Sequence, residues 1–309
     1  MKTADAVPLS ICTPLLESLP LSQLNHTRVW LKMEAMQPSG SFKIRGIGNA
    51  CQHHVAQGAK RFVSSSGGNA GLAVAFAGRQ LCVPVMVVVP ESTSEHARHL
   101  LELEGAEVMV YGKTWTEANQ LALSLVKGQD AFIHPFDDAL LWHGIASIID
   151  EVTVEGVNPD AVVLAVGGGS LLSGVDMGLN RNGLNDIPIF IAETHGMASY
   201  HAALKAGQPV ALERLSGVAT SLGARQVCQR AFAVSQSRPV VPMLVSDQEA
   251  VSACLAFLDD HRTLVEPACG AALALLYQQK LSFHERENVL VIVCGGSTAT
   301  LASLQGFEH

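Results

Sequence analysis

The chain has 309 residues, of which 48% are hydrophobic and 16% are charged, and its formal net charge at pH 7 is −8. This acidic balance, without any block of Lys or Arg, argues against nucleic acid and membranes as partners, and no apolar run approaches the ~20 residues of a membrane span. The seven cysteines are odd in number and include no Cys-x-x-Cys pair, which argues against a disulfide framework or a zinc site and predicts a cytoplasmic location.

Short apolar segments alternate with longer helical patterns along the chain. The strand-like segments are 28–33, 61–66, 85–90, 106–111, 131–136, 160–170, 187–194 and 288–297. Two of them, 160–170 and 288–297, end in glycine-rich turns. The helical segments include 69–81, 94–105, 114–128 and 246–261, and the last of these opens with a capping box of Ser246 and Glu249. Because the strands are apolar on both faces, the pattern predicts a parallel sheet covered by helices on both sides, an α/β architecture.

The segment QPSGSFKIRGIG, residues 37–48, predicts a helix that begins near Lys43. The N-terminus of a helix carries partial positive charge, so a cation there is disfavoured by a few tenths of a kcal/mol to about 1 kcal/mol. Either Lys43 points into water, where its position is harmless, or its amine is not charged.

The segment SSSGGNAG, residues 64–71, follows a strand and opens a helix. Its small residues expose backbone N–H groups at the helix N-terminus, where a carboxylate or a phosphate binds. Asn69 could also serve as the N-cap of this helix, so a structural role and an anion-binding role both stay open.

The segment AVGGGSLLSG, residues 165–174, is a second junction of this kind. Its three successive glycines let the backbone approach an anion closely, which favours a phosphate cup. The spacing is neither the Gly-x-Gly-x-x-Gly of dinucleotide-binding dehydrogenases nor a P-loop, so a dehydrogenase is the weakest alternative.

Two later segments place single polar groups near strand and helix ends. LVEPACGAALAL, residues 264–275, contains Glu266, which either needs buried partners or is an ordinary acid at a helix start. VIVCGGS, residues 291–297, places Cys294 at the end of a strand, where a free cysteine is usually a small buried hydrophobe. Together, two anion-binding turns, the lysine and a polar atom at a strand end fit a phosphorylated aldehyde cofactor that Lys43 holds as a Schiff base.

These motifs resemble those of the fold-type II pyridoxal-phosphate enzymes, the tryptophan-synthase-β-like group, and look most like its L-serine/L-threonine dehydratases of the liver type. The likeness spans nearly the whole chain, and its most specific motifs are QPSGSFKIRGI, PFDD and VEPACGAALA. It implies twisted, mostly parallel sheets in two domains, with a small domain, 37–138, inserted in a large cofactor-binding domain, 1–36 and 139–309. It also implies a homodimer.

The resemblance assigns Lys43 as the Schiff-base residue and as the catalytic base. It implies that Phe42 stacks on the cofactor ring, that Asn69 binds its 3′-oxygen, that Cys294 faces the pyridine nitrogen and that Ser221 lies against the other ring face. It implies that the start of the second glycine junction binds the cofactor phosphate, through Gly167, Gly168, Gly169, Ser170 and Leu171. It implies that the first junction binds the substrate carboxylate, through Ser64, Ser65, Ser66, Gly67, Gly68 and Asn69.

Relatives of this type also bind a monovalent cation, typically potassium, below the phosphate cup. The resemblance places the side chain of Glu193 there, with the carbonyl groups of Gly167, Met197, Leu222 and Ala224. Oxygen ligands of this kind suit a hard cation. Ser170 departs from the pattern, since a fourth glycine is usual there, and so does Gly67, since alanine is frequent there; the glycine predicts a looser substrate loop.

The resemblance implies a pyridoxal-phosphate-dependent L-serine and L-threonine dehydratase that releases pyruvate or 2-oxobutanoate and ammonia. A thiol opposite the pyridine nitrogen suits elimination more than transamination. The chain ends soon after Thr298, so we expect no C-terminal regulatory domain and a role in amino-acid catabolism. Alternatives are a serine racemase, a threonine synthase or a β-replacement enzyme of the same fold, and a non-catalytic protein that binds the cofactor.

Overall fold

The computed structural model describes residues 7–284 and 287–307. Its strands are β1 Leu15–Glu17, β2 Arg28–Lys32, β3 Arg61–Ser64, β4 Val85–Val89, β5 Glu107–Val110, β6 Asp130–Phe132, β7 Ala161–Ala165, β8 Ile189–Thr194, β9 Val240–Val245 and β10 Asn288–Ile292. Its helices are α1 Leu19–Asn25, α2 Lys43–Ala56, α3 Asn69–Leu81, α4 Glu95–Leu103, α5 Trp115–Ser124, α6 Ala139–Ile145, α7 Ser147–Val154, α8 Ser170–Arg181, α9 Ser199–Ala206, α10 Gln229–Ser237, α11 Asp247–His261, α12 Pro267–Tyr277 and α13 Leu301–Gln305.

The strands form two sheets. The larger sheet has six strands in the order β1-β2-β10-β7-β8-β9, and its pairs are parallel except for β1 with β2. The smaller sheet has four parallel strands in the order β5-β4-β3-β6 and comes from one continuous stretch, 61–132. The predicted α/β class with mostly parallel, helix-covered sheets is confirmed, whereas the exact domain bounds stay a prediction.

Local sequence patterns predicted several elements well. Helix α3 spans the predicted residues 69–81, the strands β4 and β7 are buried along their whole length, and Ser246 and Glu249 form the predicted capping box. Strand β9 escaped prediction because Pro242 interrupts its apolar pattern. The proline is tolerated since β9 is an edge strand, where a missing backbone N–H costs little. No helix in the described ranges is both long and apolar enough to span a bilayer.

Helices α2 and α6 pack with their backbones in direct contact. A Cβ added to Gly46 of α2 would lie 2.6 Å from the carbonyl oxygen of Leu141, and one added to Gly144 of α6 would overlap the carbonyl of Arg45. The two glycines therefore allow an approach that any larger residue would block.

A buried ion network fixes α2 to the larger sheet. The Arg45 guanidinium donates two hydrogen bonds of 2.7 Å to the Glu34 carboxylate and two of 2.6 and 2.7 Å to Glu151 of α7. The Lys32 ammonium of β2 lies 2.7 Å from Glu151 Oε2, which also accepts a hydrogen bond from Arg45, and it donates to the Thr13 carbonyl. Both cations are buried, so removing one partner leaves uncompensated charge.

We expect Arg45→Ala to lower the free energy of unfolding by about 3–5 kcal/mol, because it leaves the buried Glu34 carboxylate unpaired. Urea unfolding followed by circular dichroism measures the change. Arg79→Ala is the matched control, since Arg79 pairs with Glu104 at the surface and an exposed pair contributes about 0–1 kcal/mol. Equal losses of unfolding free energy in the two variants would show that the buried network stabilises the fold no more than an exposed ion pair does.

Candidate active site

Lys43 is the first residue of α2, as the sequence predicts. The segment before it is held against the end of β10, since the Phe42 amide donates a 3.0 Å hydrogen bond to the Cys294 carbonyl and Ser41 forms an isolated bridge with Gly295. The Lys43 amine donates to the Pro135 carbonyl at 2.7 Å and lies 3.1 Å from the Ser170 hydroxyl.

Burial weakens the proton affinity of this amine. It lowers the pKa of Lys43 to about 8, against an opposing attraction from the Cys294, Cys228 and Glu266 side chains. A large fraction of Lys43 is therefore neutral in mildly alkaline solution, which answers the problem of a lysine at a helix N-terminus. The amine also lies 5.2 Å from the centre of the Phe42 ring.

The glycine junction forms a close-fitting cradle at the start of α8. A Cβ on Gly167 would lie 2.8 Å from the Leu222 backbone, one on Gly168 would overlap the Phe136 ring, and Gly169 has a φ of 98° that favours glycine. Ser170, the first residue of α8, is buried beside Lys43, and Leu171 after it is also buried. Free N–H groups at the start of this twelve-residue helix make the cradle suitable for a phosphate.

The serine-rich junction lies at the end of β3 and the start of α3. Ser64 and Ser65 are buried, and the Ser65 hydroxyl donates a 2.7 Å hydrogen bond to the Asn119 side chain. The Gly68 amide lies 3.4 Å from the Ser66 hydroxyl, and a Cβ on Gly68 would face open space. The loop thus leaves open space beside Gly68 at the start of α3, where backbone N–H groups suit an anion.

The space beside Gly67 is occupied by neighbouring side chains, while the looser loop stays a prediction. A Cβ at this position would lie 2.6 Å from the Cγ2 methyl of Thr93 and 3.2 Å from Val89. The Thr93 side chain therefore fills the room that an alanine methyl would need.

Asn69 is not the N-cap of α3, so the structural role that the sequence left open for it is wrong. Gly68 occupies that position, and the Asn69 amide nitrogen instead donates a 2.6 Å hydrogen bond to Glu266 Oε1 and lies 3.3 Å from the Ser221 hydroxyl. Ser221 in turn donates to Glu266 Oε2 at 3.0 Å. The structure therefore brings Asn69 and Ser221 together around one carboxylate.

Glu266 was not predicted to be a site residue, although its place in VEPACG pointed to a buried carboxylate. It is the N-cap residue of α12, yet its side chain makes no capping bond and turns to Asn69 and Ser221. Burial raises the pKa of Glu266 to about 7, while these two hydrogen bonds and the Lys43 charge oppose the rise. The signal in the sequence was an acid between apolar residues; its long-range partners were not visible there.

Cys294 is buried at the end of β10, beside the thiol of Cys269 in α12. The contact with Cys269, followed by burial, raises the pKa of the Cys294 thiol well above its ordinary value. Cys294 is therefore a neutral thiol, and all seven cysteines are free.

Glu193 is buried at the end of β8 and binds the start of α9. Its two carboxylate oxygens each accept a 2.8 Å hydrogen bond, from the Tyr200 and His201 amides, and burial raises its pKa to about 7. The Gly167 carbonyl accepts the Ser199 hydroxyl at 3.3 Å, and the Leu222 carbonyl accepts the Ala224 amide at 2.7 Å. Met197, four residues after Glu193, is also buried. The cation site itself stays a prediction.

The residues present fit pyridoxal phosphate. The glycine cradle and the start of α8 offer a phosphate site, and the Lys43 amine lies next to it. Four buried polar atoms around the starts of α2 and α3 have no hydrogen-bond partner among the described residues: Ser39 Oγ, Ser41 Oγ, Ser64 Oγ and Asn69 Oδ1. A ligand that bears hydrogen-bonding groups would satisfy them.

Comparison with known proteins agrees with this arrangement. The chain is 45% identical to human L-serine dehydratase/L-threonine deaminase over 98% of its length and 95% of that protein's length, and 47% identical to a human serine dehydratase-like protein over 99% and 96%. The solved structure of a fungal L-serine ammonia-lyase from Rhizomucor miehei superposes with a TM-score of 0.91 at 38% identity, covering 97% of this chain and 98% of that one. The family described as pyridoxal-phosphate dependent enzyme matches residues 8–295, and the chain belongs to that family.

Proposed function

We propose that the protein is a pyridoxal-phosphate-dependent dehydratase that converts L-serine to pyruvate and ammonia, and L-threonine to 2-oxobutanoate and ammonia. The observation that carries the proposal is the Lys43 amine, which lies 3.1 Å from Ser170 at the glycine cradle suited to phosphate. Glu266, which binds Asn69 of the serine-rich junction, lies close enough to attract the same amine. The relatives that carry these activities in their names extend over nearly the whole chain.

The cofactor, when bound, supplies an electron-withdrawing ring that makes the α-proton of an attached amino acid acidic. The loop 64–69 and the N-terminus of α3 bind the substrate carboxylate and so orient the Cα–H bond. The Lys43 amine, with its pKa lowered to about 8, is a suitable base for that proton. Loss of the β-hydroxyl and addition of water then give one 2-oxo acid and one ammonia for each amino acid consumed.

Glu266 keeps the polar wall of the site in place in this proposal. Its carboxyl group orients the Asn69 amide and the Ser221 hydroxyl, which the resemblance places around the cofactor ring. The resemblance also places Phe42 and Cys294 around the cofactor ring. The Phe42 amide donates a hydrogen bond to the Cys294 carbonyl, and this bond fixes the start of α2. A neutral thiol at Cys294 does not favour a protonated ring nitrogen as a carboxylate would, which suits elimination.

We further propose a potassium-class cation at Glu193, a homodimer and a cytoplasmic location. Support for the cation is the buried Glu193 carboxyl and its place at the end of β8. The seven free cysteines support a reducing compartment, as the cytoplasm is. Sedimentation equilibrium would test the homodimer by measuring the oligomeric state. The division into 37–138 and its two flanks is supported by the four-stranded sheet, which lies wholly within 37–138.

An assay with L-serine that measures pyruvate, ammonia and D-serine tests the reaction against its alternatives. A dehydratase forms pyruvate and ammonia in equal amounts, whereas a racemase forms D-serine. Binding of the cofactor without any of these products would favour the non-catalytic alternative.

We expect Lys43→Ala to abolish pyruvate formation, since no other described side chain places an amine at the Pro135 carbonyl and Ser170 hydroxyl. Borohydride reduction of the wild-type protein with its cofactor, followed by peptide mapping, should attach the cofactor to the peptide that contains Lys43. Lys60→Ala, a change at a lysine just before β3, is the control and should retain activity. Attachment to another lysine would refute the assignment.

We expect Glu266 to make stability fall as the pH rises. Its folded-state pKa, about 7, lies above the ordinary value of 4.5, so the folded protein holds the proton more tightly and loses this advantage between pH 4.5 and pH 7. The loss is on the order of 3 kcal/mol, because each tenfold change in proton affinity corresponds to about 1.4 kcal/mol.

Urea unfolding at pH 5 and pH 8 measures this effect. Glu266→Gln, which keeps a carbonyl acceptor for Asn69, should show a smaller fall in stability between the two pH values than the wild type. Glu102→Gln, an exposed position in α4, is the control and should follow the wild type. The same pH dependence in all three proteins would contradict a raised Glu266 pKa.

We expect activity to fall when potassium is replaced by tetramethylammonium at constant ionic strength. Glu193→Ala should remove the difference between the two salts. The ratio of rates in the two salts is the measured quantity, so a general loss caused by the missing contacts to α9 does not imitate the result. Equal wild-type rates in both salts would argue against a cation site.

A further inference from the structure

The turn after β6 is built around a histidine side chain. His134 Nδ1 accepts hydrogen bonds from the backbone amides of Phe136, at 3.2 Å, and Asp137, at 2.8 Å. A nitrogen that accepts two N–H groups carries no proton, so the ring is the neutral tautomer with its hydrogen on Nε2. The His134 ring also packs edge-to-face against Phe136, with 4.8 Å between the ring centres.

This turn carries two groups into the candidate active site. The Pro135 carbonyl accepts the 2.7 Å hydrogen bond from the Lys43 amine, and the Phe136 ring packs against Gly168 of the phosphate cradle. Trp142 of α6 donates to the Phe136 carbonyl at 3.1 Å and ties the end of the turn to the next helix. His134 thus touches neither Lys43 nor Gly168 in these contacts, but it holds the residues that do.

The charges around His134 oppose one another. Burial is the main cause that lowers its pKa below the ordinary 6.5, and the Lys43 amine adds to this effect, whereas Asp137 and Asp138 raise it. Protonation would put a hydrogen on Nδ1, which would then face two N–H donors and lose both hydrogen bonds. The neutral turn is therefore the form present at neutral pH, and it weakens as the pH falls through the lowered pKa of His134.

We propose that His134 is a positioning residue, whose neutral ring holds the turn 134–137 so that Pro135 binds the catalytic amine and Phe136 closes the phosphate cradle. The proposal rests on the proposed function of Lys43 and extends it to a side chain outside the substrate and cofactor sites. Protonation of His134 frees the turn, so both the reactivity of Lys43 and the affinity for cofactor phosphate fall together at acidic pH.

The test compares two substitutions of His134. Asn places a carbonyl oxygen where it accepts amides two and three residues further on, without titrating in this range, whereas Phe keeps the ring and loses the acceptor. We expect His134→Phe to lose at least tenfold in kcat/KM for L-serine at pH 8 and at least tenfold in affinity for pyridoxal phosphate. His134→Asn should keep both within about threefold and should lose less activity than the wild type between pH 7.5 and pH 5.5.

A further measurement separates positioning from a general loss of stability. In nitrogen-15 spectra of the wild-type holoenzyme, the Phe136 and Asp137 amide signals should shift together with one pKa below 6.5, and His134→Asn should abolish that transition. His96→Asn, at an exposed position of α4, is the matched control and should leave the affinity, the pH profile and these signals unchanged.

The proposal is overturned if His134→Phe keeps its cofactor affinity and kcat/KM, or if His134→Asn fails to restore them while the thermal midpoint of both variants equals that of the wild type. It is also overturned if the two amide signals do not titrate. The amide signals and the cofactor affinity need no turnover, so they test His134 even where no pyruvate is formed and the proposed reaction fails.

Discussion

The candidate active site depends on the burial of one amine, that of Lys43. An ammonium group at this place loses hydration and faces the positive end of α2, so its charged form is disfavoured on two counts. The structure compensates with two oxygen acceptors, the Pro135 carbonyl and the Ser170 hydroxyl. Pro135 follows β6 of the smaller sheet, and Ser170 follows β7 of the larger sheet. The amine therefore has both partners only when the ends of the two sheets meet.

The carboxyl group of Glu266 makes a second connection of the same kind. It lies at the start of α12, near the larger sheet, and binds Asn69 at the start of α3, which follows the smaller sheet's β3. An amine with a pKa near 8 and a carboxyl with a pKa near 7 thus lie close enough for their charges to interact. Each can change its protonation at little cost near neutral pH, a property of groups that transfer or orient protons.

The sequence predicted those features that depend on neighbouring residues. The starts of α2 and α3, the parallel strands and the Ser246 capping box follow from local apolar periodicity and from glycine and serine placement. The partners of Asn69 could not be predicted in this way, because Glu266 lies 197 residues further along the chain. The role of His134 was missed for a different reason: a single histidine near Pro135 has no pattern that distinguishes a turn acceptor from a surface residue.

The close contact of α2 with α6 has a mechanical consequence. Gly46 and Gly144 let the two backbones touch, so neither helix can slide along the other without a collision of main-chain atoms. Helix α2 carries Lys43 at its first turn, and α6 begins directly after the turn that contains Pro135 and Phe136. The start of α2, with Lys43, therefore cannot shift along α6 on its own, and we expect a movement that admits an amino acid to leave this pair of helices packed together.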